Sequence, residues 1–306
     1  MRTGSTFQEL LLALSTFWAR EGCVLHQPYD KEVGAGTMHP ETFFRSLGRA
    51  PWRVAYCQPS RRPADGRYAD NPMRVYKHFQ FQVILKPSTD DVQELYLASL
   101  AAMGIDATKH DVRFEEDNWE SPTLGASGVG WQVSMDGMEI SQFTYFQVMG
   151  GSELASIPVE LTYGLERICM FVNDVRNIFD IPWAAAGWAD GGAVPYGELR
   201  RRAEREQSVY SFEEADVSQH VSQFEWAERE SRRLLDRERD GEPDPLLIPA
   251  FERVLEASHL FNVLDARGAL SVTERQSMIQ RIRRLAVRCA GLWQSTEHLL
   301  PEGAET

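Results

Sequence analysis

Cysteine is scarce in this chain and long apolar runs are missing, and each scarcity removes a class of protein. The 306 residues include four cysteines, Cys23, Cys57, Cys169 and Cys289, with no CxxC pair and no histidine at ligand spacing. Neither a disulfide framework nor a zinc site is expected, and buried thiols in a reducing cytosol are. No apolar stretch approaches the roughly 20 residues that a membrane helix needs. Leu10–Leu12 is too short, and too close to Gln8 and Glu9, for a signal peptide. A cytoplasmic protein without membrane contact is therefore expected. Positive charge is also in deficit: 32 Lys and Arg face 45 Asp and Glu, a net charge of −13. As a whole such a chain repels a nucleic-acid backbone, which speaks against DNA binding and leaves most of the grip on any RNA to another chain. The basic clusters at Arg200–Arg202 and at Arg281, Arg283, Arg284 and Arg288 are flanked by acids and read as solvated helix faces. Neither GxGxxG nor a Walker loop occurs, so dinucleotide and P-loop folds are disfavoured.

What is present is patterned. Phe7, Leu10, Leu11, Leu14, Phe17 and Trp18 fall at helical spacing, with Ser5 as the expected N-cap and Gly22 as the stop. Cys23–His26 reads as a short strand, and Arg53–Gln58 and Val75–Leu85 as two strands joined by a long polar loop. Asp90–Met103 is an amphipathic helix. Val112–Glu115 is a strand, and Gly130–Ser134 with Met138–Gln147 forms a hairpin around Asp136–Gly137. Leu161–Val172 reads as a helix with Gly164 near its start. The Gly/Ala-rich stretch Ala184–Pro195 marks a linker, beyond which the pattern is helical throughout, punctuated by Pro243, Pro245 and Pro249. Ser271 or Thr273 opens the last helix in a capping-box context. The expected architecture is α+β: an antiparallel sheet with helices over residues 1–190, then an all-helical domain over 191–306.

The chemistry concentrates in a few strings. Gln58-Pro59-Ser60-Arg61-Arg62-Pro63-Ala64-Asp65-Gly66-Arg67-Tyr68, continuing to Arg74, puts four arginines on one loop between strands. Guanidinium forks bind phosphate oxygens bidentately and stay charged, so this loop suits a polyanion. Taken alone, it suits solvated surface arginines equally well. Gln80 and Gln82 share one strand face and can hold a small polar ligand, or simply meet solvent. Asp117–Gly125 is a polar loop centred on Trp119 and closed by Pro122 and Gly125. It can present Glu120 or another carboxylate to a metal or an amine. Glu139 follows on the hairpin. In Glu160-Leu161-Thr162-Tyr163-Gly164-Leu165-Glu166-Arg167, a cation in the first helical turn opposes the helix dipole and wants an anionic partner. Nucleotide phosphate and a neighbouring carboxylate both fit.

The strings QPSRRPADGRY, FQFQV, EEDNWESPTLGA, GMEISQFTYFQ, ELTYGLER and SVTERQ, in this order from about Thr6 to Trp293, resemble the alpha-subunit family of bacterial tetrameric glycyl-tRNA synthetases. The resemblance implies a class II aminoacyl-tRNA synthetase fold with an antiparallel sheet flanked by helices. It implies adenylation of glycine with ATP and Mg²⁺, in a homodimer that works with a beta subunit and tRNA. Arg61 or Arg62 would face the α-phosphate, with Arg67, Arg74, Glu139, Glu166 and Arg167 also at the nucleotide and Glu139 at the metal. Gln80, Gln82, Trp119, Glu120, Ser127, Glu160 and Thr162 would surround the amino acid.

The chain departs from that family in places. Serines stand at Ser127 and Ser134 where tryptophans are usual, and the stretches Ser152–Glu160 and Arg200–Glu204 also differ. If the serines face the amino-acid pocket, they enlarge it. A free-standing relative that adenylates another small acid is then the competing expectation.

Overall fold

A computed structural model describes residues 5–185 and 192–296. The first helix, α1 (Phe7–Arg20), buries Phe7, Leu10, Leu14 and Trp18 as its spacing dictates. Its N-cap is Thr6 rather than Ser5. Thr6 Oγ1 accepts from Glu9 N at 3.2 Å, while Glu9 Oε2 accepts from Thr6 N at 2.7 Å, a reciprocal capping box. After β1 (Val24–Leu25) and the short helix α2 (Pro40–Ser46) come β2 (Trp52–Arg61) and β3 (Lys77–Lys86), the two ends of the arginine loop. Helix α3 (Val92–Ala102) leads into β4 (Val112–Ser121), β5 (Ala126–Met135) and β6 (Met138–Met149). A two-residue β7 (Ser152–Glu153), β8 (Val159–Gly164) and α4 (Leu165–Asn173) complete this part.

The strands form one sheet in the order β1-β2-β3-β8-β6-β5-β4, with β7 against β6. Only β1 runs parallel to its neighbour; the other pairs are antiparallel. Insertion of β8 between β3 and β6 sets Gln82 beside Thr162, and Thr162 beside Gln142.

Two expectations fail locally. Asp117–Gly125 is not a free loop, because β4 continues to Ser121 with Trp119 opposite Gly128, and only 122–125 turns. Glycine at 128 allows the close approach of β6, since a Cβ there would lie 2.6 Å from Tyr145 O. The helix expected from Leu161 begins at Leu165. Val159, Leu161 and Tyr163 alternate with Glu160 and Thr162 at the strand period, and both neighbours supply ladder partners. The Asp136–Gly137 turn forms as its dipeptide requires, with both residues at positive φ (49° and 82°), the two-residue hairpin geometry that matches strand twist.

Alternation gives the sheet two apolar faces. Phe81, Val83, Leu85, Leu161, Tyr163 and Phe143 pack beneath α1, α3 and α4. Val54, Tyr56, Ile84 and Phe146 pack on the other side against Phe43 and Phe44 and the C-terminal helices. Those helices are α6 (Val217–Leu235), α7 (Leu247–Ala266) and α8 (Val272–Thr296), whereas α5 (Tyr196–Val209) places Tyr196 in the first core. Phe251 of α7 stacks on Phe43, ring centroids 4.5 Å apart. A π turn at Tyr210–Glu214 follows α5. The region is not helical throughout: Glu238–Arg239 pairs with Glu242–Pro243 around another Asp-Gly turn, Asp240–Gly241. Pro249 falls in the first turn of α7, where a missing N–H costs nothing. Ser271 and Glu274 form the expected box at α8. The basic clusters are largely solvated as expected, with Arg201, Arg202, Arg283, Arg284 and Arg288 exposed; Arg281 is the partly buried member whose Nε donates to Glu228 across α6 and α8 at 3.0 Å.

Part of the Ala184–Pro195 stretch, residues 186–191, lies outside the described residues, as do the C-terminal residues Pro301–Thr306; Pro182–Ala184 and Val194–Pro195 pair as two short strands. Among the described residues no helix is long and apolar enough to cross a membrane, and all four cysteines are free thiols.

Candidate active site

A cavity of about 710 Å³ opens at one end of the sheet, between the arginine loop, β6, β8 and α4. That volume suits a nucleotide-sized ligand. Its walls carry four cations, Arg62, Arg67, Arg74 and Arg167, against the acids Asp65, Glu139 and Glu166. In a chain of net charge −13 this is a local reversal of sign. Arg62 Nε donates to Gly34 O at 3.2 Å, and Arg67 Nη1 to Gly66 O at 2.6 Å. Arg74 lies 3.8 Å from Asp65. Arg167 Nη1 donates to Glu139 Oε2 at 2.8 Å, so the anionic partner expected of a cation in this first turn is present and is a carboxylate on β6. His78 also lines the cavity; burial, Arg62 and Arg167 push its pKa down to about 3, so the imidazole is neutral.

Glu166 looks into the cavity yet is tied to the scaffold. Its Oε1 accepts from Phe79 N and from Tyr196 Oη, both at 2.9 Å, and burial pushes its pKa up to about 7. That carboxylate joins α4 to β3 and α5, one reason why Arg167, the next residue, is held at the rim.

The floor is a row of polar side chains on one sheet face. Gln80, Thr162 and Gln142 line the cavity, whereas Gln82 and Glu160, further along the same sheet face, do not. Thr162 Oγ1 donates to Gln82 Oε1 at 2.9 Å. The segment 33–38 crosses over this row. Gly36 N donates to Gln80 Oε1 at 3.0 Å, and Thr37 Oγ1 donates to Glu160 Oε1 at 2.7 Å. Burial lifts the Glu160 pKa to about 7 although Thr37 and Thr162 hydroxyls oppose the rise.

The arginine loop, Gln80, Glu139, Thr162, Glu166 and Arg167 thus meet at one place. Other sequence candidates do not. Arg61 leaves the cavity and lies 3.6 Å from Glu32, because alternation along β2 turns successive side chains to opposite sides. Trp119 packs on Phe146, and Glu120 and Ser127 face each other across the β4–β5 ladder, away from the cavity. Ser134 donates to Glu115 at 3.2 Å and does not line the cavity either. Residues that sequence reasoning missed include Asp65, His78, Gln142 and Thr37. The alternation that flagged Gln80 and Gln82 applies equally to Gln142, whereas nothing in the local sequence ties Thr37 to Glu160.

This arrangement accompanies a clear relationship. A family model described as "Glycyl-tRNA synthetase alpha subunit" matches residues 7–298. The chain belongs to that family. It is 56% identical over 288 residues to the glycine--tRNA ligase alpha subunit of Coprothermobacter proteolyticus, covering 94% of each chain. Among solved structures, pyrrolysyl-tRNA synthetase of Desulfitobacterium hafniense matches 61% of this chain and 76% of its own, with 14% identity and a TM-score of 0.43. The antiparallel sheet with flanking and C-terminal helices is the class II synthetase architecture that membership in the family brings.

Proposed function

We propose that this chain activates glycine: its carboxylate attacks the ATP α-phosphorus, the bond to the bridging oxygen breaks, and glycyl-adenylate and pyrophosphate result. The observation that carries this reading is the convergence of Arg62, Arg67, Arg74 and Arg167 above a polar sheet floor, in a chain of this family. Charge neutralisation and in-line positioning then supply the rate, and no covalent enzyme intermediate is required. Arg62 faces the α-phosphoryl oxygens, and Arg167, released from Glu139, takes the outer phosphates. The amino acid lies over Gln80 and Thr162, beside the Gly36–Thr37 segment that covers Gln82 and Glu160 on the same face.

Mg²⁺ fits as an ion brought with the nucleotide. Among the described residues no group of three or more His, Cys, Asp or Glu is placed to cage a metal. Mg²⁺ commonly binds through one or two carboxylates plus substrate phosphates, and Glu139 is the half-exposed carboxylate on the cavity wall. When bound, the ion neutralises phosphate charge. A homodimer, a beta subunit that grips tRNA(Gly), and a cytoplasmic setting complete the proposal; the strongly acidic surface supports leaving the RNA to another chain. Ser127 and Ser134 lie off the cavity, which removes the reason to expect a larger acid.

ATP–pyrophosphate exchange across the common amino acids, with and without a glycyl-tRNA synthetase beta subunit, tests the reading. Exchange greatest with glycine supports it. Exchange with another acid alone, or none even with the beta subunit, refutes it.

A further inference from the structure

The arginine loop is held from outside, by a helix that contributes nothing to the cavity wall. Glu204 of α5 is 1% exposed, yet its nearest cation, Arg200, lies 3.9 Å away. A buried carboxylate needs stronger partners than that. It has them in the loop backbone: Oε2 accepts from Tyr76 N at 2.6 Å, and Oε1 from Lys77 N at 3.1 Å. Tyr76 O in turn accepts from Arg62 N at 2.7 Å. Glu204 is thus one peptide removed from the arginine that faces the cavity.

One turn further along α5, Ser208 holds the loop's middle. Its hydroxyl accepts from Tyr68 N at 3.0 Å and donates to Glu204 O at 2.8 Å. Tyr68 and Ala69 sit at φ 54° and 64°, a left-handed pair without glycine that the surroundings must impose. A Cβ on Gly66 would lie 2.7 Å from Ser208 Oγ, so the loop rests directly on the helix. Beyond α5, Tyr68 Oη donates to Glu213 at 2.8 Å in the π turn. Glu204, Ser208 and the π turn are successive turns of one helical face. They engage the arginine loop at its middle and at its return into β3, on either side of Arg74.

We propose that this face of α5 is a positioning brace for the nucleotide-binding arginines, with Glu204 and Ser208 as positioning residues. The proposal rests on the ATP-binding reading above. It assigns a purpose to the Arg200–Glu204 stretch, which touches neither the cavity nor the amino-acid floor. Loosening the brace lets Arg62 and Arg67 drift, which weakens ATP capture, while glycine recognition at Gln80, Thr162 and Thr37 stays in place.

The test compares Ser208→Ala and Glu204→Gln with wild type and with Arg202→Ala, a control on the exposed face of α5 where Arg202 pairs with Glu206. Two readouts are taken: exchange kinetics with ATP and glycine varied separately, and the rate of tryptic cleavage after Arg67 and Arg74, mapped by mass spectrometry. The expected result is a rise in the KM for ATP of about ten-fold or more, since small misplacements of positioning groups are costly, with the KM for glycine unmoved. Cleavage after Arg67 accelerates in both variants and is slowed by added ATP. Equal rises in both KM values, or unchanged cleavage after Arg67, overturn the brace. Ser208→Ala removes only a hydroxyl and keeps the test open should Glu204→Gln fail to fold. If wild type shows no exchange even with a beta subunit added, glycine activation is refuted, and the cleavage rates alone decide the brace.

Discussion

Gly36 lies where the 33–38 segment crosses the sheet, and a methyl group there has nowhere to go. A Cβ at this position falls 2.8 Å from Gln82 Cδ and 2.9 Å from its Oε1. Gln82 is 1% exposed and accepts the Thr162 hydroxyl, so it cannot swing aside without losing that bond. The alternative is for the segment to lift, which stretches the bonds from Gly36 N to Gln80 and from Tyr56 Oη to Gly36 O, and slackens Thr37 from Glu160. Overpacking of this kind costs about 1–3 kcal/mol. Lifting places the cost at the floor of the cavity, so Gly36→Ala should lower kcat/KM for glycine by roughly 5- to 150-fold. The KM for ATP should rise too, but less, because among the proposed nucleotide arginines the bond to the segment is that of Arg62 to Gly34 O. Exchange kinetics at saturating ATP, beside a thermal melt, provide the measurement. A variant with wild-type glycine kinetics and an unchanged melt would show that the segment does not shape the amino-acid site.

Arg62→Ala should reduce exchange by about 100-fold or more, the usual loss for one preorganised donor to developing charge, whereas Arg61→Ala should cost far less; similar losses for both would refute the assignment. Phe251→Ala removes a ring with 0% exposure that stacks on Phe43 and should destabilise the fold by about 3–5 kcal/mol. Because that ring joins the sheet to α7, denaturant unfolding should stay a single shifted transition; separate transitions for sheet and helices would contradict the shared core. Glu160 and Glu166 both titrate near pH 7 in the fold against an ordinary value of 4.5. The folded state therefore holds extra protons, and this stabilisation, complete below about pH 4.5, is lost as pH rises through about 7. The melting temperature should fall between pH 5.5 and 8, and Glu160→Gln should flatten the fall; identical profiles would count against the buried acid.

Much of the fold is visible along the chain because it rests on local rules. The 3.6-residue spacing of Phe7, Leu10, Leu14 and Trp18, the Asp136–Gly137 turn and the Ser271–Glu274 box each contain their own physical cause within a few residues. The density of arginines between two strands, and the face carrying Gln80, likewise point to residues that the fold gathers around one cavity. Choices between neighbours were not local. Whether Arg61 or Arg62 enters the cavity depends on which side of β2 the segment 33–38 covers. Whether Trp119 and Ser127 line a pocket depends on how far β4 and β5 stay paired. Thr37 on Glu160, and Glu204 on the amides of Tyr76 and Lys77, join residues more than a hundred positions apart. Such contacts follow from strand order, with β8 between β3 and β6, and from the packing of α5 against the loop. A periodic pattern tells each side chain which face to take, but only the closed chain decides what it meets there.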